Sequence, residues 1–435
     1  MFTQDAVKQL SAYLNEPAWM LEFRLKAFEI YEQLPMPTIQ DEAWRRTNIR
    51  RLKLDAIGPS VNGDAGQVAY PATLSTQLAD VPAGGELVMV DGVVKSYRLS
   101  EEVAAQGVIF CDMSTAVAQH PELVQKYFMT TAVLPDEGKF AALHAAFWRG
   151  GTFIYVPKNV KVAAPLHTAL WNAGGKTFTH TLVVLDTGAE AVFSDEYGSP
   201  KDANGQFLHN GAVELLVGDN ASLTYASIQE FGDNMWQFSH ERGRVGRDGK
   251  LDWILSIMGT GLIKAFQTSE LDGAGSWARM SGLFFGDKRQ HFDLDTQQNH
   301  NAPRTTSDLL YKGALKHQAR SVWQGMIKAL PGSQQIDGFQ ANRNLLLEDT
   351  ARADSIPGLE IEADDVRCTH ASTVGNLDPQ EVFYLMSRGI TREMAVRMVV
   401  QGFFDPVMQR IPFEGVRLRI ADQISEKVGV WRSRL

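Results

Sequence analysis

The spacing of apolar residues divides the chain into three zones. From Trp19 to Leu34 they recur at Met20, Phe23, Ala27, Ile30, Tyr31 and Leu34, a period that predicts an amphipathic helix. Pro35 and Pro37 end it, because neither can donate a backbone hydrogen bond. The next stretch, DEAWRRTNIRRL, reads as a solvated helix face carrying Arg45, Arg46, Arg50 and Arg51. From about Gly85 to Thr373 the pattern becomes short apolar runs broken by Gly, Asp and Asn: GTFIYVP (151–157), HTLVVLD (180–186), EAVFSDE (190–196), VELLVGD (213–219) and SLTYASIQ (222–229). These have the length of strands and leave no room for a crossover helix. From Asp378 helical signals return. Asp378 is placed as an N-cap with Pro379 at the first helical position and Glu381 three residues after the cap, and Gly389 as a left-handed stop. Thr391 caps a second helix predicted to end near Gly402, and EGVRLRIADQISEKVGVW follows.

Turn signals in the strand zone repeat. Gly188-Ala-Glu-Ala191, Gly218-Asp-Asn-Ala221 and Gly249-Lys-Leu lie 30 and then 31 residues apart. That period suits the coils of a β-solenoid, each unable to bury its apolar face without a neighbour. A sandwich would show tight turns every ~8–12 residues. The repeat fades after Gly273, and the stretches 303–315 and 340–366, dense in charge, read as solenoid corners where Arg343 and Arg352 pair nearby acids.

Composition narrows the function. A chain of 435 residues exceeds the ~250–300 that one ordinary core supports, which fits an elongated fold. With 42 Lys+Arg against 51 Asp+Glu the net charge is −9, which excludes a general nucleic-acid binder. No stretch of ~20 apolar residues suggests a membrane span, and Asp5 and Lys8 interrupt any secretion signal. Two cysteines, Cys111 and Cys368, exclude a disulfide framework or a four-cysteine site built by this chain alone, and point to a reducing, cytoplasmic setting. Residues 379–435 hold nine Lys/Arg and six Asp/Glu, hence +3. They form either a docking surface for an acidic partner or a helical cap closing the solenoid.

Familiar catalytic signatures are missing: no G-x-x-x-x-G-K-[ST] phosphate loop, so no ATP site of that kind, and no H-E-x-x-H, C-x-x-C or G-x-S-x-G. The strongest local constellation is Cys368-Thr369-His370. On a strand, Cys368 and His370 point the same way, a thiol and an imidazole suited to iron or zinc but too few to close a tetrahedral site. The bland alternative turns Val366 and Cys368 to the core with His370 at the rim. Cys111 reads as a small buried residue. His291 and His300 are a candidate imidazole pair or two surface histidines. Asp293 and Asp295 alternate correctly to share a face, as the paired acids of a β-helical carbohydrate-active enzyme would.

Five blocks, SDLLYKGAL (307–315), ARSVWQGMI (319–327), FQANRNLLL (339–347), ARADSIPGLEIEADDVRCTH (351–370) and FYLMSRGI (383–390), together resemble the SufB/SufD family of the Suf iron–sulfur cluster assembly system. The C-T-H arrangement is similar to the SufD pattern, and no cysteine stands near Ala341–Asn342, where SufB carries its scaffold thiol. The resemblance implies a mainly β protein, a right-handed parallel β-helix (85–373) between an N-terminal (1–84) and a C-terminal helical region (374–435). It implies a non-catalytic scaffold that pairs with SufB through the β-helix edge and docks the SufC ATPase through the C-terminal helices. His370, with Cys368, would help ligate a transient iron–sulfur cluster shared with SufB. A SufB-like homodimeric scaffold is the alternative, and flavin binding stays open.

Overall fold

The computed structural model describes residues 1–59, 71, 83–201 and 203–429. Two long sheets face each other, and successive strands alternate between them, so each coil gives one strand to each sheet. The first sheet runs through Glu190–Gly198, Ser222–Glu230, Lys250–Gly259, Trp277–Gly286, Thr306–Leu315, Ile336–Leu346 and Val366–Asn376. The second runs through Phe207–Val217, Met235–Val245, Leu262–Leu271, His291–His300, Arg320–Ala329 and Arg352–Ile361. Neighbours pair in parallel and mostly in register, so each inward side chain stacks on its counterpart one coil away. This is the expected β-solenoid. Its core is a continuous column that includes Phe193, Tyr225, Trp253, Met280, Leu309, Leu294 and Trp323.

The corners explain the repeat. At one corner of each coil a residue takes a left-handed backbone: Gly188, Asn220, Asp248, Gly275, Arg304 and Gln335, with φ from 54° to 75°. Each donates its N–H to a carbonyl of the next coil, respectively Asp219, Arg247, Ala274, Pro303, Gln334 and Asp365. The repeat therefore does not stop after Gly273. It becomes invisible because Arg304 and Gln335 hold a position that Gly or Asn usually marks. The stretch 303–315 is mostly the strand Thr306–Leu315, and 340–366 holds the end of one strand, the whole of Arg352–Ile361 and the first residue of the next, with charged corners at 347–351 and 362–365 between them. Arg352 does pair with Asp354 at 2.9 Å. Arg343 is exposed, and no ion pair is found for it among the described residues.

Helices cover both outer faces. The predicted N-terminal helix spans Ala18–Gln33 and packs with Gln4–Tyr13. Further helices, Glu101–Ala105, Met113–Gln119, Pro121–Tyr127 and Lys139–Phe147, fall within the stretch read as strands. Most of this layer rests on the second sheet through Leu182, Val184, Leu208 and Phe238. The arginine-rich stretch is not a long helix: a single 3₁₀ turn, Glu42–Trp44, leads into irregular chain. Burial of Trp44, Thr47 and Ile49 decides its path, while Arg45, Arg50 and Arg51 stay exposed.

At the C-terminus, Asp378 caps Pro379–Ser387 by accepting from the Gln380 N–H, and Gly389 is left-handed at φ 84°. Thr391 caps the next helix as predicted, but that helix runs Arg392–Met408, through Gly402, because Phe404 and Val407 beyond it are buried. With Glu414–Val428, these helices pack on the outer face of the first sheet against Ala226, Ile254, Leu283, Phe285 and Ala314. They lie back along the solenoid and do not cap its end. The last six residues, with Arg432 and Arg434 of the basic patch, lie outside the described residues. No helix among the described residues is long and apolar enough to cross a membrane.

Candidate functional site

Because the C-terminal helices fold back, the last coil ends without a cover. Val366–Asn376 and Arg352–Ile361 are each paired on one side only. In-register pairing fixes which side chains face the end. Ser307, Gly338 and Cys368 form one stack, and Leu309, Gln340 and His370 the next. Leu309 is a core residue, so Cys368 and His370 both continue inward-facing stacks, and Val366 stands in the same row. The two sequence readings of this strand thus describe one row: Val366 and Cys368 are half-buried, and His370 is exposed. Across from them, the stack of Leu294, Trp323 and Ser355 assigns the same facing to Pro357, Leu359 and Ile361. Leu359 and Ile361 are 39% and 37% exposed. The end face is therefore apolar, with a thiol and an imidazole set into it.

Charge rims this face: Arg367 with Asp337, Arg352 and Arg320 with Asp354, Lys328 with Glu360. Burial pushes the Cys368 thiol up, and the Gly338 N–H pulls it back down. Among the described residues no three His, Cys, Asp or Glu side chains converge as a metal cage. Cys368 and His370 are suitable soft and borderline donors for iron, but they need ligands from outside this chain to close a site.

The second candidate dissolves. His291 and His300 sit at opposite ends of one strand and do not meet. His291 donates Nε2–H to Thr47 Oγ1 at 2.7 Å, and Thr47 in turn donates to Asp293. His300 is fully buried rather than at a surface, between Thr305 Oγ1 at 2.6 Å and Ser307 Oγ at 2.8 Å. Asp293 and Asp295 do share a face, the outer one of the second sheet. Lys264 Nζ neutralises both, at 2.9 and 2.7 Å, beneath Trp44 and Thr47. Acids tied to a buried lysine under a helical layer cannot flank a sugar. Cys111 is buried as expected, and burial pushes its thiol to about 12.

Two buried polar clusters escaped sequence reading. Under the N-terminal helices, His144 Nε2 lies 3.0 Å from His180 Nδ1, and His180 Nε2 lies 3.0 Å from Glu214. Glu214 accepts the N–H groups of Met129 and Val133, clamping that loop, and burial raises its carboxyl to about 8. Inside the solenoid, Asp195 accepts from Thr181, Tyr197 and Tyr225. The available signal was a polar residue inside an apolar run, such as His180 opening HTLVVL. Such residues read as surface alternation until both faces of the strand prove covered.

On the C-terminal helices, Phe383, Tyr384, Met386, Met394 and Met398 are exposed, Phe383 by 71%. The inner sides are tied to the sheet. Arg410 bonds Ser281 and Asp308, Arg419 bridges Glu196 and Glu230, and Lys312 donates to the Phe403 carbonyl.

Sequence comparison agrees with this architecture. A family profile described as the SUF system FeS cluster assembly, SufBD core domain, matches residues 169–403, and the SufBD protein N-terminal region matches residues 5–168. The chain is 34% identical over 436 residues to the iron-sulfur cluster assembly protein SufD of Bacillus subtilis, covering 98% of each. It is 29% identical over 429 residues to an iron-sulfur cluster assembly SufBD family protein of Staphylococcus aureus, covering 95% of this chain and 90% of the relative. With the two profiles together matching residues 5–403 and the SufD relative matching 98% of the chain, the chain belongs to the SufBD family of iron–sulfur cluster assembly proteins.

Proposed function

We propose that this chain is a non-catalytic scaffold subunit of a cytoplasmic Suf complex. It pairs through the open solenoid end with a SufB-type partner, docks a SufC-type ATPase on its C-terminal helices, and receives a nascent iron–sulfur cluster at the shared end face. The observation that carries this reading is the uncovered last coil. Two unpaired strand edges invite strand addition, and the face between them offers Cys368 and His370, with no cage of three His, Cys, Asp or Glu side chains among the described residues. The cluster is cargo, assembled where donors of two chains meet. The exposed Phe383, Tyr384 and Met386 supply an apolar patch of the kind an interface core uses. The division into 1–84, 85–373 and 374–435 then corresponds to anchoring, scaffold and docking regions.

The buried alanine at 341 and asparagine at 342 favour the SufD-like over the SufB-like role, since neither supplies a thiol. The test is co-purification with SufB and SufC candidates, followed by anaerobic cluster reconstitution with wild-type chain and with His370→Ala. We expect the variant to assemble normally and to mature clusters poorly. Failure to assemble, or normal maturation, would overturn the assignment of His370.

A further inference from the structure

Resting on that reading, we infer that the inner donor pair of this chain is Cys368 with His300, and that a soft divalent cation such as ferrous iron is held between the Cys368 Sγ and the His300 Nε2. Sequence alone places these residues 68 positions apart by subtraction, on different sheets. Gly338 brings them together. A Cβ at that position would lie 3.3 Å from His300 Nε2 and 3.4 Å from Cys368 Sγ, so both atoms border the space the missing side chain leaves. A thiol and an imidazole nitrogen that share one such space can hold one ion.

The imidazole is already set up as a ligand. Thr305 Oγ1 donates to the Ala302 carbonyl, so it accepts the Nδ1–H of His300; Nε2 then accepts from the Ser307 hydroxyl beside Gly338, and an ion would take the place of that hydrogen. Anchoring one ring nitrogen by an oxygen and presenting the other is the arrangement that metal-binding histidines use. Two buried amides on neighbouring stacks each leave an oxygen without a donor. Gln298 donates its Nε2 to the Phe339 carbonyl, and its Oε1 has no donor among the described residues. The same holds for the Oε1 of Gln340, whose Nε2 is used by the Gly358 carbonyl. Both amides are buried. The half-buried Cys368 gives access from the open end, and exposed His370 stands two residues further along the same face.

The test is anaerobic titration of the full-length chain with Co(II), which gives a thiolate-to-cobalt charge-transfer band when sulfur ligates. Wild type should show the band, Cys368→Ser should lose it, and His370→Ala should keep it. His300→Gln and Thr305→Val should each weaken Co(II) affinity by at least about tenfold, with melting temperature recorded alongside. Gly338→Ala guards against misfolding of the buried histidine variant, since its methyl occupies the ion's space and keeps both donor residues, which need give only by a few tenths of an ångström; it too should lose the band. A wild type without the band, or His300→Gln and Gly338→Ala binding as wild type, overturns the pair and leaves the scaffold reading standing through His370. Weakened Co(II) binding in His300→Gln, together with unimpaired cluster reconstitution in the complex, establishes the pair and counts against the scaffold site itself.

Discussion

Lys264→Met isolates the energetics of the buried charges under the N-terminal layer. Lys264 and Asp293 have fully buried side chains and Asp295 is 20% exposed. The ammonium is the one cation within ion-pair reach of both carboxylates among the described residues, and Thr47 and Gln324 are their remaining hydrogen-bond donors. Methionine fills similar volume, so packing is largely conserved and the loss is electrostatic. Removing one partner of a buried ionic cluster costs about 3–5 kcal/mol, because the remaining charge stays desolvated. Urea unfolding followed by circular dichroism at pH 7 should register a loss of that size. Adding Asp293→Asn and Asp295→Asn should return most of it.

The pH dependence gives a second reading. Burial holds the Asp295 carboxyl up at about 6, against the pull of Lys264, and without the lysine it moves further up. An unfolded aspartate titrates near about 3.9. A folded value above the unfolded one means stability present at acid pH and lost as pH rises. The deficit of Lys264→Met should therefore shrink on acidification to about pH 4. A deficit under about 1 kcal/mol at pH 7, or one equal at pH 4 and pH 7, would refute this account.

Three other groups give outcomes of their own. Glu214, raised by burial to about 8, lies above its unfolded value of about 4.3, so it lowers stability progressively from about pH 4 to 8; Glu214→Gln should flatten the melting temperature across pH 5–8, and an unchanged slope would exclude this group as its source. Gly151 has φ 114° and a Cβ there would lie 2.0 Å from the His180 carbonyl oxygen, so Gly151→Ala should cost about 2–4 kcal/mol in urea unfolding, whereas wild-type stability would mean the loop relaxes freely. Arg419→Ala leaves Glu196 buried without its guanidinium, and hydrogen exchange should accelerate in Glu414–Val428 while Gln4–Tyr13 stays protected; equal protection in both would show that apolar packing alone holds the helix.

The solenoid was legible because its early corners carry Gly and Asn at left-handed positions and its strands are short and apolar. It became illegible from Arg304 onward, where stacking on the neighbouring coil holds a conformation that the residue type does not advertise. The helix at Ala18–Gln33 and the Asp378 cap were readable from local chemistry. The extension of Arg392–Met408 past Gly402 was not, since burial of Phe404 against the first sheet outweighs the cost of one mid-helix glycine, about 1 kcal/mol. At the open end, alternation alone put Cys368 and His370 on one side of a strand. The approach of His300 depends on Gly338, a residue whose contribution is the side chain it lacks. The same limit hid Lys264 from Asp293 and Asp295: they are neighbours across the ladder, and only the register reveals it.

The two ends of the solenoid differ in kind. The far end closes with Val93–Leu99 and Ile109–Asp112, both antiparallel to their neighbours, whereas the near end presents parallel strands. A head of one molecule therefore finds no matching tail on another, and endless stacking into a fibre is geometrically discouraged. A pairing through the near end would be face to face, would consume both sticky surfaces at once, and would terminate at two solenoids.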